Sequence, residues 1–517
     1  MDIDITIEDL GLDNIPTLYD INKSFDVIQT DQHDGIVGEQ NARMVVFTNF
    51  VLGEKPVILK GSRASGKTNI MTVVGTYCRT PKIISSSSEK VFQRMEELNE
   101  HSHFLIPEVN KVNDNVVEML KDWGEGVPHI YTYTDKFKQP HTVTINPKPF
   151  MTSIADENKN VNQLGEELLS RLTVVRTDSS VKQNIAVIEE KLRRAANPRY
   201  KKSVDKKKIE EFKTYVHSLP SLSSLKFVYP AETSIRKAIP PIFTDSRRDV
   251  GKYLNNTYGI CLFHINDRLS MDIDGKKYYF VTPQDIWYNH VIFQDVLLDS
   301  SLKCGPIERE ILDILKVIGE TPVIDKWGKN VKGLSDGEIH TELLKRSYTP
   351  TKDSVRKYCE SLVDVGYVSR FEEGLPYRFY INPELKREHK MDIDWQEIVD
   401  TCKDNVRKNF PEIADEYEKR FCQGDGLVVI NPFTGERVVI VDTVEQEVLD
   451  VTPEPTVNTK DDLQSSIMSL LEDGSPRSVA QIVSVLGVKD ETVDETLLYL
   501  KRINEVFEVS PGTFKKL

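Results

Sequence analysis

The stretch Pro56-Val-Ile-Leu-Lys60 runs directly into Gly61-Ser-Arg-Ala-Ser-Gly66-Lys67-Thr68, and the chain after it reads Asn-Ile-Met-Thr-Val-Val. A short apolar run suits a buried strand, and the residues after the glycines suit a helix. The glycines permit the sharp bend between the two, and the first turn of the helix leaves backbone N–H groups without partners and positive potential at its end. That combination is a phosphate cradle, and the G-x-x-x-x-G-K-T spacing between strand and helix is the context the motif requires. Gly61, Ser62, Arg63, Ala64, Ser65, Gly66, Lys67 and Thr68 are therefore expected to bind ATP. Lys67 would reach the β- and γ-phosphates, and Thr68 would offer its hydroxyl to Mg2+. Hydrolysis also needs a carboxylate at the end of a neighbouring strand to orient water. His103-Phe-Leu-Ile-Pro107-Glu108 offers Glu108, with Pro107 where a magnesium-ordering acid would precede it.

Around the loop, strands are expected at 56–60, 82–84, 103–106, 150–154 and 173–176, with helices at 36–52, 89–99 and 115–123 between them. This alternation predicts an α/β fold with a parallel sheet. Helical patterning over 182–219, 245–267 and 283–298 suggests a helical lid. Helices at 307–318, 336–345 and 351–365 followed by strands at 367–371 and 377–381 describe a winged helix. The segment 463–503 with a hairpin around Pro511-Gly512 repeats that scheme as a second winged helix. The expected organisation is an N-terminal extension (1–33), an ATPase core (34–180), a lid (181–300), a winged helix (305–382), a small mixed α/β segment (383–440) with a hairpin at 427–430 and 437–441, a linker (441–460) and the second winged helix (461–517). A chain of 517 residues is long enough for several domains.

The composition, 39% hydrophobic and 29% charged, is that of ordinary globular material, and apolar runs such as 258–265 are too short to cross a bilayer. The acidic start, Met1 to Leu10, lacks the features of a secretory leader, so an intracellular, cytoplasmic protein without a membrane partner is expected. Its six cysteines form no C-x-x-C pair and are expected to be reduced. A net charge of −14 argues against a uniformly nucleic-acid-binding surface. Charge is unevenly spread, however: residues 191–208 hold nine Lys or Arg and one acid, whereas 436–508 hold sixteen acids and six bases. DNA contact is expected only locally. Residues 130–134 and 141–145 alternate around a turn containing Lys136, Phe137 and Lys138, a hairpin with a basic, aromatic tip suited to single strands. In the first winged helix Lys352, Arg356 and Lys357 share one side of the third helix, while Val355, Cys359 and Leu362 follow the buried spacing. The third helix of the second carries Asp490, Glu491, Asp494 and Glu495, which suits a protein partner.

Pro107-Glu-Val-Asn-Lys111, the following helix, hairpin and strand, and Glu167-Leu-Leu-Ser-Arg171-Leu-Thr-Val resemble the AAA+ core of ring helicases, most closely the minichromosome maintenance (MCM) group. The resemblance covers about residues 35–300 and implies an ATP-driven DNA helicase acting as a homo-oligomer, a hexameric ring. It implies that Arg171 is an arginine finger reaching the γ-phosphate bound by the adjacent subunit. It also implies that Arg248, or its neighbour Arg247, is the sensor 2 residue in the lid, and it leaves Thr152 or Ser153 at sensor 1, where the family's asparagine is absent. The strand Lys148-Pro-Phe-Met-Thr-Ser also resembles motif C of viral and plasmid superfamily 3 helicases. Two other activities fit the same residues: a non-translocating, ATP-switched DNA-binding initiator or regulator, and a MoxR- or chelatase-type protein-remodelling ATPase.

Overall fold

Alternate residues of the strand entering the glycine loop point to opposite sides of a parallel sheet, and each side buries its own set. The computed structural model describes residues 15–441 except 31–34, 63, 85–97, 109–113, 135–137, 156–164, 179, 198–204, 239–245, 303–304, 320–322, 325–329, 332, 347, 349, 365, 372–376 and 383–392; beyond these it describes residues 467–468, 471, 477–479, 482, 493, 496–497, 500, 506–510 and 513–516. The first seven strands are β1 (Val57–Gly61), β2 (Pro81–Ile83), β3 (His103–Ile106), the hairpin pair β4 (His129–Thr134) and β5 (Pro140–Ile145), β6 (Phe150–Ala155) and β7 (Thr173–Arg176). Five of them form the central sheet in the order β2-β3-β6-β1-β7, all neighbours parallel. Val57, Leu59, Leu105, Met151 and Val175 face one core, and Ile58, Phe104, Ile106, Phe150 and Ile154 face the other. Burial of each such side chain is worth roughly 1.5–3 kcal/mol. A one-residue slip would exchange the two faces, so the register is strongly fixed.

The helices of this region are α1 (Leu18–Ser24), α2 (Gln40–Val46), α3 (Lys67–Gly75), α4 (Asp114–Glu125), α5 (Gly165–Arg171), α6 (Val181–Ala196), α7 (Lys206–Ser218), α8 (Glu232–Ala238), α9 (Ser246–Phe263) and α10 (Pro283–Leu302). Helix α4 with Trp123 covers the Ile58 side, and α2 and α3 cover the other. Several sequence expectations are corrected here. The expected helix over 36–52 starts only at Gln40, because Gly35, Gly38 and Glu39 take positive φ and turn residues 35–39 into a loop; its last turn, Phe47–Leu52, is wound more widely. The single helix expected over 182–219 is two, the first ending at Ala196 shortly before Pro198, whose ring cannot continue a helix. The lid is not purely helical: β8 (Lys226–Val228), β9 (Ser270–Ile273) and β10 (Lys276–Phe280) form a sheet in the order β8-β10-β9. The turn between β9 and β10 is Asp274-Gly275, both at positive φ, the chemistry of a two-residue hairpin. The helix expected over 89–99 lies largely outside the described residues.

The N-terminal extension is built into the core. Arg43, fully buried, donates from Nε to Asn22 Oδ1 (2.6 Å) and from Nη1 to Asp26 Oδ1 (2.6 Å), and Asn22 donates to the Pro432 carbonyl (2.7 Å). Farther along, α11 (Pro306–Val317), α12 (Asp336–Lys345) and α13 (Lys352–Asp364) pack with an antiparallel sheet. The strands there are the short pair β11 (Val323–Ile324) and β12 (Asn330–Val331), then β13 (Leu334–Ser335), β14 (Val368–Phe371) and β15 (Arg378–Ile381) in the order β13-β15-β14. Ser335 and Glu338 form a reciprocal cap at the start of α12, and Val355, Cys359 and Leu362 are buried at their expected spacing. The mixed segment after it contains α14 (Trp395–Asn409), α15 (Ala414–Phe421) and the hairpin β16 (Val428–Ile430) and β17 (Arg437–Val439). It packs on the lid: Tyr417 Oη donates to the Val281 carbonyl (2.7 Å) and Asn405 Nδ2 to that of Pro230 (2.5 Å). Met1–Asp442 is one compact unit and Thr443–Leu517 another. In the second, β18 (Arg477–Ser478), β19 (Val506–Ser510) and β20 (Thr513–Lys516) form a sheet over Ile467, Leu471, Ile482, Val493, Leu497, Leu500 and Phe514. The linker expected over 441–460 lies almost wholly outside the described residues, as do Asp490, Glu491, Asp494 and Glu495. No helix among the described residues is long and apolar enough to cross a membrane.

Candidate functional site

The expected nucleotide residues gather at the carboxyl ends of the sheet strands, where ligands bind in open α/β folds. Gly61 ends β1, and a Cβ there would stand 1.9 Å from Thr177 Oγ1, so only glycine fits. Thr177 in turn donates to Ser65 Oγ (2.8 Å) and fastens the loop to the end of β7. Gly66, at φ +83°, is the residue from which α3 starts, and Ala64 shares the left-handed region at +61°. Lys67 is nearly buried, its ammonium donating to the carbonyls of Gly61 (2.8 Å) and Ser62 (2.5 Å) and to Ser65 Oγ (3.1 Å). Thr68 is exposed at the second position of α3. Arg63 lies outside the described residues.

Two strands away, Ile106 pairs with Thr152 and Thr152 with Ile58, so the chain leaves β3 toward Glu108 at the level of Lys60, one residue before the loop. Glu108 is exposed there. Ser153 Oγ donates to the Pro107 carbonyl, while Thr152 Oγ1 is buried without a hydrogen-bond partner. The residues thus fit a triphosphate: a glycine cradle, a cation at its mouth and a carboxylate beside it. Magnesium would be held by Thr68 together with the phosphates and would neutralise their charge. Pro107 supplies no second carboxylate.

Glu39 escaped sequence reasoning, since nothing in Gly-Glu-Gln marks a functional acid. It is buried in a left-handed turn, accepts from the Asp178 backbone N–H through both oxygens (3.1 and 3.0 Å) and lies within electrostatic reach of Lys67. Burial dominates and pushes its pKa from 4.5 up to about 8, against the Asp178 N–H and the cations of Arg43 and Lys67, which lower it. The folded state therefore favours the protonated form, and this contribution to stability is full below pH 4.5 and is lost as pH rises toward 8. Glu39→Gln should flatten the decline of melting temperature over that interval, measured by thermal unfolding from pH 5 to 9. A variant that declines as steeply as wild type would show that Glu39 is ionised throughout.

The two arginines lie at the other end of the sheet. Thr173, two residues past Arg171, pairs with Val57 at the start of β1. Four strand steps of about 3.3 Å put roughly 13 Å between that level and Gly61. Arg171 points to the far edge, donating to the Lys121 carbonyl (3.2 Å) and pairing with Glu125. Arg248, at the start of α9, joins it there by donating to Ser170 Oγ. Both line a cavity of about 800 Å³ with Lys55, Val127, Lys252 and Tyr258. The structure thus brings the finger and sensor 2 candidates together but away from their own chain's loop. Lys55 and Lys252 were missed, because only the fold makes them neighbours of Arg171.

Of the hairpin tip, only Lys138 is described; it is exposed at φ +62°, and Lys136 and Phe137 lie outside the described residues. Behind the tip runs an aromatic ladder that the alternation alone did not identify: Tyr131 stacks on Tyr133 (6.0 Å) and Tyr133 on His141 (5.3 Å), the last two opposite each other in the register. Lys352, Arg356 and Lys357 are exposed on α13, and Arg356 pairs with Glu360 (3.1 Å). No family model matches the chain, and no curated protein matches it.

Proposed function

We propose that this chain is an AAA+ ATPase, resembling the MCM group, that couples ATP hydrolysis to movement on DNA. The observation that carries this reading is a separation across one sheet: the glycine loop at the carboxyl end of β1, and Arg171 and Arg248 lining one cavity at the amino end of β7. Cations that cannot reach their own loop suit a site completed by a neighbouring copy, as in a ring. The placement of β6, with Ser153, between the P-loop strand and the Glu108 strand supports the AAA+ reading. In this reading Lys67 and the loop N–H groups hold the phosphates and Glu108 orients the attacking water. Arg171 and Arg248 of the next copy stabilise the charge that develops on the γ-phosphoryl oxygens. The three helices and antiparallel sheet of 306–381 support a winged helix with Lys352, Arg356 and Lys357 toward DNA, and the C-terminal unit supports a second.

The hairpin supplies the grip. Lys136 and Lys138 contact phosphates, and Phe137 and the ladder behind it offer stacking surfaces. Replacing both lysines with alanine should leave basal hydrolysis intact, abolish its stimulation by single-stranded DNA, and flatten the dependence of log affinity on log salt by about 1.4, two contacts at about 0.7 each. Hydrolysis and anisotropy titrations test this, and undiminished stimulation in the variant would exclude the hairpin as the grip. Pro107 supports a second reading, a non-translocating ATP-driven switch: it would bind DNA through α13 and displace no strand from a forked duplex, even as wild type.

A further inference from the structure

Helix α6 carries an aliphatic stripe on its solvent side. Its core side is mixed, with half-buried Ala186 and Val187 beside two polar groups: Gln183 is buried and donates from Nε2 to the Val37 carbonyl (2.7 Å), and buried Glu190 receives Arg193 (3.1 Å) and Arg194 (3.0 Å). Its solvent side carries Ile185, Ile188 and Leu192, which are 49%, 56% and 63% exposed. The spacing of three and then four residues puts them in one stripe along the helix. Single exposed aliphatics are ordinary, but three aligned on one helix mark a surface that another molecule covers.

The position of the stripe identifies the occupant. Helix α6 begins four residues after Thr177, whose hydroxyl holds Ser65 of the phosphate loop, and in its first turn Gln183 is bonded to Val37, just before Gly38 and Glu39. The helix that bears the stripe therefore starts beside the nucleotide loop. A site that uses Arg171 and Arg248 is incomplete until a second copy brings its own pair to this loop, so the face that arrives here is the one bearing those arginines. That face has an exposed aliphatic of its own, Val127 (43%), which lines the cavity with both arginines. We propose that the Ile185, Ile188 and Leu192 stripe is the seat on which a second copy of this chain places Val127, and that this contact sets its Arg171 and Arg248 over the phosphates. The proposal rests on the ATPase reading above.

Ile188→Asp with Leu192→Asp in the full chain tests it, since both positions are exposed and the fold, checked by thermal unfolding, should be retained. The variant should bind a fluorescent ATP analogue with wild-type affinity. It should remain monomeric by light scattering where wild type assembles, and lose about 10³-fold in turnover, the scale of a missing trans arginine. In a mixture of Ile188→Cys and Val127→Cys chains, a short bismaleimide should join residue 188 of one copy to residue 127 of another, read by peptide mass spectrometry. A double variant that assembles and hydrolyses like wild type overturns the contact alone, as does a stripe that links only to other regions. A wild type that binds no ATP overturns the ATPase reading and this contact with it.

Discussion

Lys67→Ala should abolish nucleotide turnover, lowering it by about 10²–10³-fold or more, and weaken ATP binding measurably. The ammonium is the cation at the mouth of the loop, held by the Gly61 and Ser62 carbonyls and Ser65 Oγ. Phosphate oxygens are stronger acceptors than those three, so a triphosphate would draw the ammonium outward, and its attraction grows as charge builds on the γ-phosphoryl oxygens during transfer. Removing such a preorganised charge costs more in the transition state than in the bound substrate. Helix α3 starts from Gly66 whatever side chain stands at 67, so the variant should fold. Steady-state phosphate release and titration with a fluorescent analogue read the two effects, and turnover at the wild-type rate would remove the P-loop from the chemistry.

Arg171→Ala should separate binding from hydrolysis: ATP affinity unchanged, turnover reduced by about 10³-fold or more. Roughly 13 Å of β1 separates the level of Thr173 from Gly61, which is longer than an arginine side chain, so in the proposed reading Arg171 serves a loop other than its own. In the proposed shared site each defect lies on a different face, so mixing Arg171→Ala with Lys67→Ala chains should recover part of the activity. An interface pairing an intact loop from one chain with an intact arginine from the other is whole. No recovery at any ratio would contradict a site shared between copies. Arg171 also pairs with Glu125, so Arg171→Lys serves as control: it keeps a cation for Glu125 but loses the planar fork, and it should stay as stable as wild type while remaining slow.

The features legible in the chain were local ones. The strand–glycine loop–helix unit could be read because glycine spacing, a preceding apolar strand and a following helix are all contained in about twenty residues, and the steric need for Gly61 against Thr177 agrees with it. The β4–β5 hairpin and α13 could be read because each presents a simple period, two or 3.6, to one core. Helix boundaries failed where left-handed residues intervened: Gly38 and Glu39 delay α2, and no apolar pattern reports that. The lid sheet was legible in principle, since Asp274-Gly275 between two alternating runs is a strong hairpin signal, but the long helices on either side mask it. The convergence of Arg248 with Arg171, 77 positions apart in the chain, and the burial of Glu39 are tertiary facts with no local trace.

The proposed division of the active site between copies has a direct kinetic signature. Hydrolysis per chain, measured at saturating ATP while protein concentration is raised and single-stranded DNA is present or absent, should climb with concentration as copies assemble and climb again when DNA is added. A per-chain rate that stays flat with concentration and takes no notice of DNA would contradict both the shared site and the motor built on it.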